Sequence, residues 1–260
     1  MVQNRKAQII YRSIYLVIAF VGILASFGVF DGKYNNYWYL FFTNISNYLC
    51  FFTVLALLCY TVRDYKNGEK RGLSAQAPLF RFCVCVMILI TFFVYNTLLS
   101  NPFSGDYWMN WQSLILHVVC PIMFVVDYLI FSKHRSINVF APLFSCIMPF
   151  IYVLIILSRG EVVLGSGALA YPYYFLNAHA IGYGRVALFV FVFLIVFVAL
   201  GYAIWAFDKL VRDENGKLKW DMSPLPKPEP VVEETEDVKV DEENQAQQVN
   251  EDDLKVEDKE

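Results

Sequence analysis

Long apolar runs separated by short polar clusters follow one another from about residue 12 to residue 208 of this chain. A helix that crosses a bilayer needs about 20 predominantly apolar residues. The runs at roughly 12–31, 38–62, 79–100, 111–132, 137–158 and 186–208 meet that length. They predict an all-α integral membrane protein with six transmembrane helices. The first run has no small-x-small cleavage site at its end and a second span follows closely, so it reads as a retained helix rather than a signal peptide. A hydrophobic content of 57% agrees, being too apolar for an ordinary soluble domain.

The charges between the runs give a direction. Arg5, Lys6 and Arg12, then Arg63, Lys66, Lys70, Arg71 and Arg81, then Lys133 and Arg135, then Lys209 and Arg212 fall on one side, whereas Lys33, Arg159 and Arg185 fall on the other. The positive-inside rule makes this an N-in/C-in, multi-pass protein, expected in the cell membrane. Tyr37, Trp38, Tyr39, Trp108 and Trp111 sit where an outer aromatic belt belongs. The six-helix domain is expected over 1–212, followed by a cytoplasmic acidic tail over 213–260. Residues 221–260 alone carry 15 acidic and 4 basic residues and no aromatic one, a composition that predicts disorder. No basic stripe points to nucleic acid.

Polar residues inside the apolar runs carry the chemical interest, because such groups are costly in hydrocarbon and mark sites or helix contacts. Thr43, Asn44, Ser46 and Asn47 stand at the start of the second run, and His117 with Ser113 stands in the fourth. Counting 1.5 Å per residue from Trp38 and Trp111 puts Thr43 and His117 about 7.5 and 9 Å below the belt. Thr43, Ser46 and Asn47 share a helix face, as do Ser113 and His117. Pro121 removes the helical donor for the His117 carbonyl and predicts a local break. Asn96, near the outer end of the third run, reaches the same level.

A hydroxyl activated by an imidazole suits acyl transfer, with Thr43 as nucleophile and His117 as general base. Asn44, Asn47, Asn96 and Ser113 are candidates for substrate binding or oxyanion support. His179, in the long Gly- and Tyr-rich loop 159–185, is placed to overhang the site. The same polar groups also serve a non-enzymatic protein: a small-molecule binder, a transporter or an assembly factor held together by interhelical hydrogen bonds. Three scattered histidines make a poor ligand set, so neither metal nor organic cofactor is expected. The six cysteines, all within runs, read as small apolar fillers. Asp127 is expected to pair with Arg81, Lys133 or Arg135, and His134 to belong to the basic turn.

The stretches W-Y-L-F-F-T-N at 38–44, L-H-V-V-C-P at 116–121 with the following VVDYLIF, and YPYYFLNAHAIGYGR at 171–185 resemble the FAR-17a/AIG1-like (androgen-induced protein) family, most closely its bacterial Pr6Pr-type branch. The resemblance covers about residues 10–210. It implies a six-helix intramembrane hydrolase of lipid esters, of the kind that cleaves fatty acid esters of hydroxy fatty acids, with Thr43 and His117 at the matching catalytic positions. The expected partner is then a lipid or amphipathic ester substrate. The animal members carry a further histidine three residues before the catalytic one; this chain has Leu114 there.

Overall fold

The computed structural model describes residues 1–134, 136–212 and 218–220. Six helices are long and apolar enough to cross a membrane: α1 (Arg5–Ser26), α2 (Phe42–Lys66), α3 (Pro78–Leu99), α4 (Trp111–Phe131), α5 (Ala141–Val163) and α6 (Tyr183–Lys209). The chain is therefore an all-α, multi-pass membrane protein. A short antiparallel pair, Leu210–Arg212 with Leu218–Trp220, follows α6. The acidic stretch from residue 221 onward lies outside the described residues.

The first helix begins earlier than its apolar run. The Asn4 side chain caps it by accepting from the Lys6 and Ala7 amides. Arg5, Gln8, Arg12, Tyr15, Ala19 and Gly22 then form one buried stripe at three- and four-residue spacing. Polar residues that look external in the sequence thus belong to the interior. Gly22 is part of the fit: a Cβ there would lie 2.7 Å from the Ile115 side chain, so its absence lets α1 approach α4 closely.

Helices α1 to α4 pack on one another around Tyr15, Cys50, Phe82, Cys85, Met87, Ile88, Cys120 and Phe124, all nearly inaccessible. Helix α6 rests on α3 and on the first turn of α5, with only 6% of its apolar window buried. It is a peripheral helix with most of its surface toward lipid. The outer part of α5 meets the start of α2, where Tyr152 contacts Leu40 and Phe42, and the loop at Tyr171 and Tyr174–Leu176.

At the basic end, Arg12 is fully buried and satisfied. Its Nε and Nη2 donate to the two oxygens of Asp127 at 2.8 and 3.3 Å, and it also donates to the Thr61 and Ser74 hydroxyls and the Leu57 carbonyl. Arg81 stands 3.8 Å from the same carboxylate and donates to Ser132 and the Ser74 carbonyl. The expected partner of Asp127 is thus only partly right. Arg81 is the secondary cation, Arg12 the primary one, Lys133 is exposed, and Arg135 is not among the described residues. His134 is more than part of a solvated turn: it is buried, donates from Nε2 to the Leu129 carbonyl and lies 3.3 Å from Asp208.

Candidate functional site

The second helix starts at Phe42, because Trp38–Leu40 forms a separate 3-10 turn. Thr43 therefore occupies the first turn of α2, not a point one and a half turns inside it. Asn44 holds this entry in place by donating to the Trp38 carbonyl at 2.8 Å. Thr43 lines a cavity of about 110 Å³ enclosed by α3, α5, α6 and the loop between the last two. Its wall is apolar and aromatic apart from the hydroxyls of Thr43, Thr91, Tyr95, Tyr152 and Tyr173 and the thiol of Cys146.

Three of those hydroxyls meet. The Tyr173 hydroxyl lies in hydrogen-bonding range of Thr43 and Tyr152, and Tyr152 donates to the Leu40 carbonyl at 2.7 Å. Burial raises the Tyr173 pKa above the usual phenol value, and the bonds from Thr43 offset this only in part. Tyr173 is thus a neutral phenol, able to donate as well as accept. Thr91, deeper in the wall, is 2.8 Å from the Ser46 hydroxyl.

His117 sits in a π-helical turn, Ile115–Val119. The Cys120 amide reaches back five residues to the Ile115 carbonyl. Carried on by one residue, that spacing pairs the Leu116 carbonyl with Pro121, which has no N–H. Asn47 supplies the missing donor: its Nδ2 reaches the Leu116 carbonyl and the Thr43 carbonyl, each at 2.9 Å. The predicted break is therefore present, displaced one residue toward the N-terminus by the π-turn. Asn47 ties the backbone that carries Thr43 to the backbone that carries His117.

The imidazole is oriented by its own helix. Its Nδ1 is 2.8 Å from the Ser113 carbonyl and 3.1 Å from the Ser113 hydroxyl. A carbonyl only accepts, so this geometry assigns the proton to Nδ1 and leaves the lone pair on Nε2. The ring stacks on Tyr95, whose hydroxyl accepts from Ser113 at 2.7 Å. Tyr95 itself opens a second π-turn, Tyr95–Leu99, and lines the cavity. Such turns are rare and concentrate at functional sites. Here two face each other through a Tyr–His stack.

The structure draws no hydrogen bond between Thr43 and His117 among the described residues, and His117 does not line the cavity; Asn47 ties their backbones, and Tyr95 stands between the imidazole and the cavity. Asn44, Asn47 and Asn96 each give an amide hydrogen to a backbone carbonyl, and none lines the cavity. Asn96 also accepts from the Tyr107 hydroxyl. Ser113 acts on His117 and Tyr95 rather than on the cavity. His179 is exposed and donates to Glu161 at 2.9 Å, away from the cavity wall. Tyr95, Tyr152 and Tyr173 were not singled out from the sequence. Only the four-residue spacing of Thr91 and Tyr95 hinted at a polar face on α3.

The loop from residue 164 to 182 roofs the cavity through Tyr173, Phe175 and Leu176. It is fastened to α5. Arg159 donates to the carbonyls of Leu169 and Ala170 at 2.6 and 3.3 Å. Glu161 gathers the Tyr171 and Tyr183 hydroxyls and His179 on one carboxylate oxygen. Burial, reinforced by that carboxylate, pushes the Tyr171 phenol up to about 12. Among the described residues no three His, Cys, Asp or Glu side chains are grouped to hold a metal ion.

No protein-family model matches this chain, and no curated protein or solved structure matches it significantly.

Proposed function

We propose that the cavity is the site of a lipid-ester hydrolase in the cell membrane, with Thr43 as nucleophile and His117 as general base. The observation that carries this reading is the shared wall. Thr43 and Tyr95 line one cavity, and Tyr95 stacks on an imidazole whose free lone pair is on Nε2. The motif resemblance supplies the ester as the substrate class.

In this scheme the Thr43 hydroxyl turns from Tyr173, gives its proton to His117 Nε2, directly or through one water, and attacks the ester carbonyl. Tyr173 donates to the oxyanion. Collapse breaks the ester bond, and the leaving alkoxide takes the proton from His117 to depart as alcohol. Water then adds to the acyl-threonine, again giving a proton to His117. The carboxylic acid leaves, and Thr43 recovers its proton. Labelling of purified protein with a fluorophosphonate, with Thr43→Ala as control, tests the nucleophile. Equal labelling of both proteins rejects it.

A second reading, a membrane protein that binds such a ligand without cleaving it, is favoured by one specific contact. The Thr43 hydroxyl lies beside Tyr173 and draws no hydrogen bond to His117. Wild-type protein that takes up an ester and releases no acid establishes this alternative.

A further inference from the structure

The wall of the cavity has no cation or carboxylate. The nearest charged side chains in its roof are already engaged, Arg159 with two loop carbonyls and Glu161 with three donors. The buried charges are engaged elsewhere: Arg12, Arg81 and Asp127 form one cluster at the basic end, Arg5 pairs with Asp64, Asp208 faces His134, and Lys209 donates to the Ile137 carbonyl. A ligand carrying a charged group therefore meets no counter-charge in the cavity, and a bare charge in an apolar enclosure is strongly disfavoured.

Access differs between the roof and the side wall. The roof is fastened to α5 at Arg159, Gly160 and Glu161, with Tyr171 packed so tightly on Gly160 that a Cβ there would lie 2.3 Å from its ring. The side wall is different. Between α5 and α6 the cavity is bordered by Phe150 and Leu194, which are 51% and 39% exposed. Both residues lie within the apolar spans, so the surface they expose faces hydrocarbon. The two helices make little direct contact along this stretch.

Size fixes how much of a lipid enters. A cavity of about 110 Å³ is smaller than the 150 Å³ or so that encloses one benzene molecule. It takes an ester group and the few carbons beside it, not a long chain.

We infer that the cavity is filled sideways from the bilayer, between α5 and α6, by the ester group of a lipid that carries no charge next to that ester and whose hydrocarbon chains remain outside in the membrane. The hydroxyls of Thr43, Tyr152 and Tyr173 receive the ester, and Phe150 and Leu194 form the gate. This rests on the proposed site but not on turnover. It narrows the substrate to esters with no charged group beside the ester bond and makes acyl length a weak determinant.

The test is photo-crosslinking of the full chain in phosphatidylcholine nanodiscs. The probe is a long-chain alkyl ester with a diazirine beside the ester group, used alongside an otherwise identical probe with a carboxylate on the carbon next to the ester. The uncharged probe is expected to label peptides of α3 and α5 at least tenfold more than the carboxylate probe. Phe150→Trp with Leu194→Trp should cut that labelling about tenfold, and Phe150→Ala should raise it. Uncharged esters with acyl chains of 8, 12 and 16 carbons should compete within about threefold of one another. Equal labelling by the two probes, or a sharp optimum of chain length, overturns the inference. Should the tryptophan variant not fold, unchanged or reduced labelling of Phe150→Ala overturns the gate. Labelling without hydrolysis rejects the hydrolase and leaves this inference standing, whereas hydrolysis with equal carboxylate labelling does the reverse.

Discussion

The imidazole of His117 lies flat against the phenol ring of Tyr95, with centroids 3.7 Å apart and planes inclined by 19°. Ser113 bonds both rings, through Nδ1 of one and the hydroxyl of the other. Rotation of the imidazole is thereby opposed on one face and along one edge. An aromatic pair contributes about 0.5–1.5 kcal/mol beyond its buried area. Tyr95→Leu should therefore lower kcat for ester hydrolysis about tenfold through misorientation of His117, while Tyr95→Phe, which keeps the stack, should cost less. Steady-state kinetics of the two variants decide this; equal losses would assign the effect to the hydroxyl instead.

Thr43→Ala and His117→Ala should each lower hydrolysis roughly a thousandfold, the scale set by loss of a positioned base at about 10²–10⁴-fold. Groups acting as one unit are not additive, so the double variant should be hardly worse than either alone. Thr43→Ser should retain measurable turnover. Release of free acid by all four proteins gives the readout, and turnover that survives both alanines removes this pair from the mechanism.

Arg12→Met leaves Asp127 in the interior with only Arg81 at 3.8 Å. Removal of one partner from a buried ion pair costs about 3–5 kcal/mol. The thermal midpoint in detergent should fall markedly, and Arg12→Met combined with Asp127→Leu should recover part of the loss. A double variant less stable than Arg12→Met alone contradicts a pairwise origin.

Gly160→Ala forces the Tyr171 ring to move, since the added carbon would overlap it. The ring leads into the segment that roofs the cavity. Limited proteolysis should then cut between residues 164 and 182 several-fold faster than in the wild type, with the six helices intact by circular dichroism. Unchanged cutting means that Tyr171 does not fasten the loop.

Cysteines introduced at Asn35 and Ser104 should react with an impermeant thiol reagent added to intact cells, and one at Asn67 should not. Asn67 follows α2 at the same end as Arg5, whose amide donates to the Lys70 carbonyl, whereas Ser104 caps a short helix at the aromatic end. Labelling at Asn67 would reverse the orientation.

The six spans were legible because apolar length is a strong signal and six runs of it stand clear of their connections. The start of α1 was not, since Arg5, Gln8 and Arg12 resemble residues that belong in water; their partners Glu69, Gly72 and Asp127 are remote in sequence. At the site, Pro121 announced a break, but its displacement to Leu116 depends on a π-turn that no periodic pattern encodes. Thr43 and His117 stood out as polar residues in hydrocarbon. The phenols beside them did not, because tyrosine is common at membrane interfaces and its role here comes from a loop folding back over α2.

Arg12 also constrains the order in which the protein comes into being. Its carboxylate partner lies 115 residues downstream, so α1 is synthesised well before Asp127 exists to meet it. Arg12 lies toward the basic end of α1, where a lone arginine snorkels to the membrane interface until its partner is made. Thr61 and Ser74 offer Arg12 earlier neighbours, but they are neutral. The buried pair of Arg12 with Asp127 therefore closes only once the fourth helix has been made.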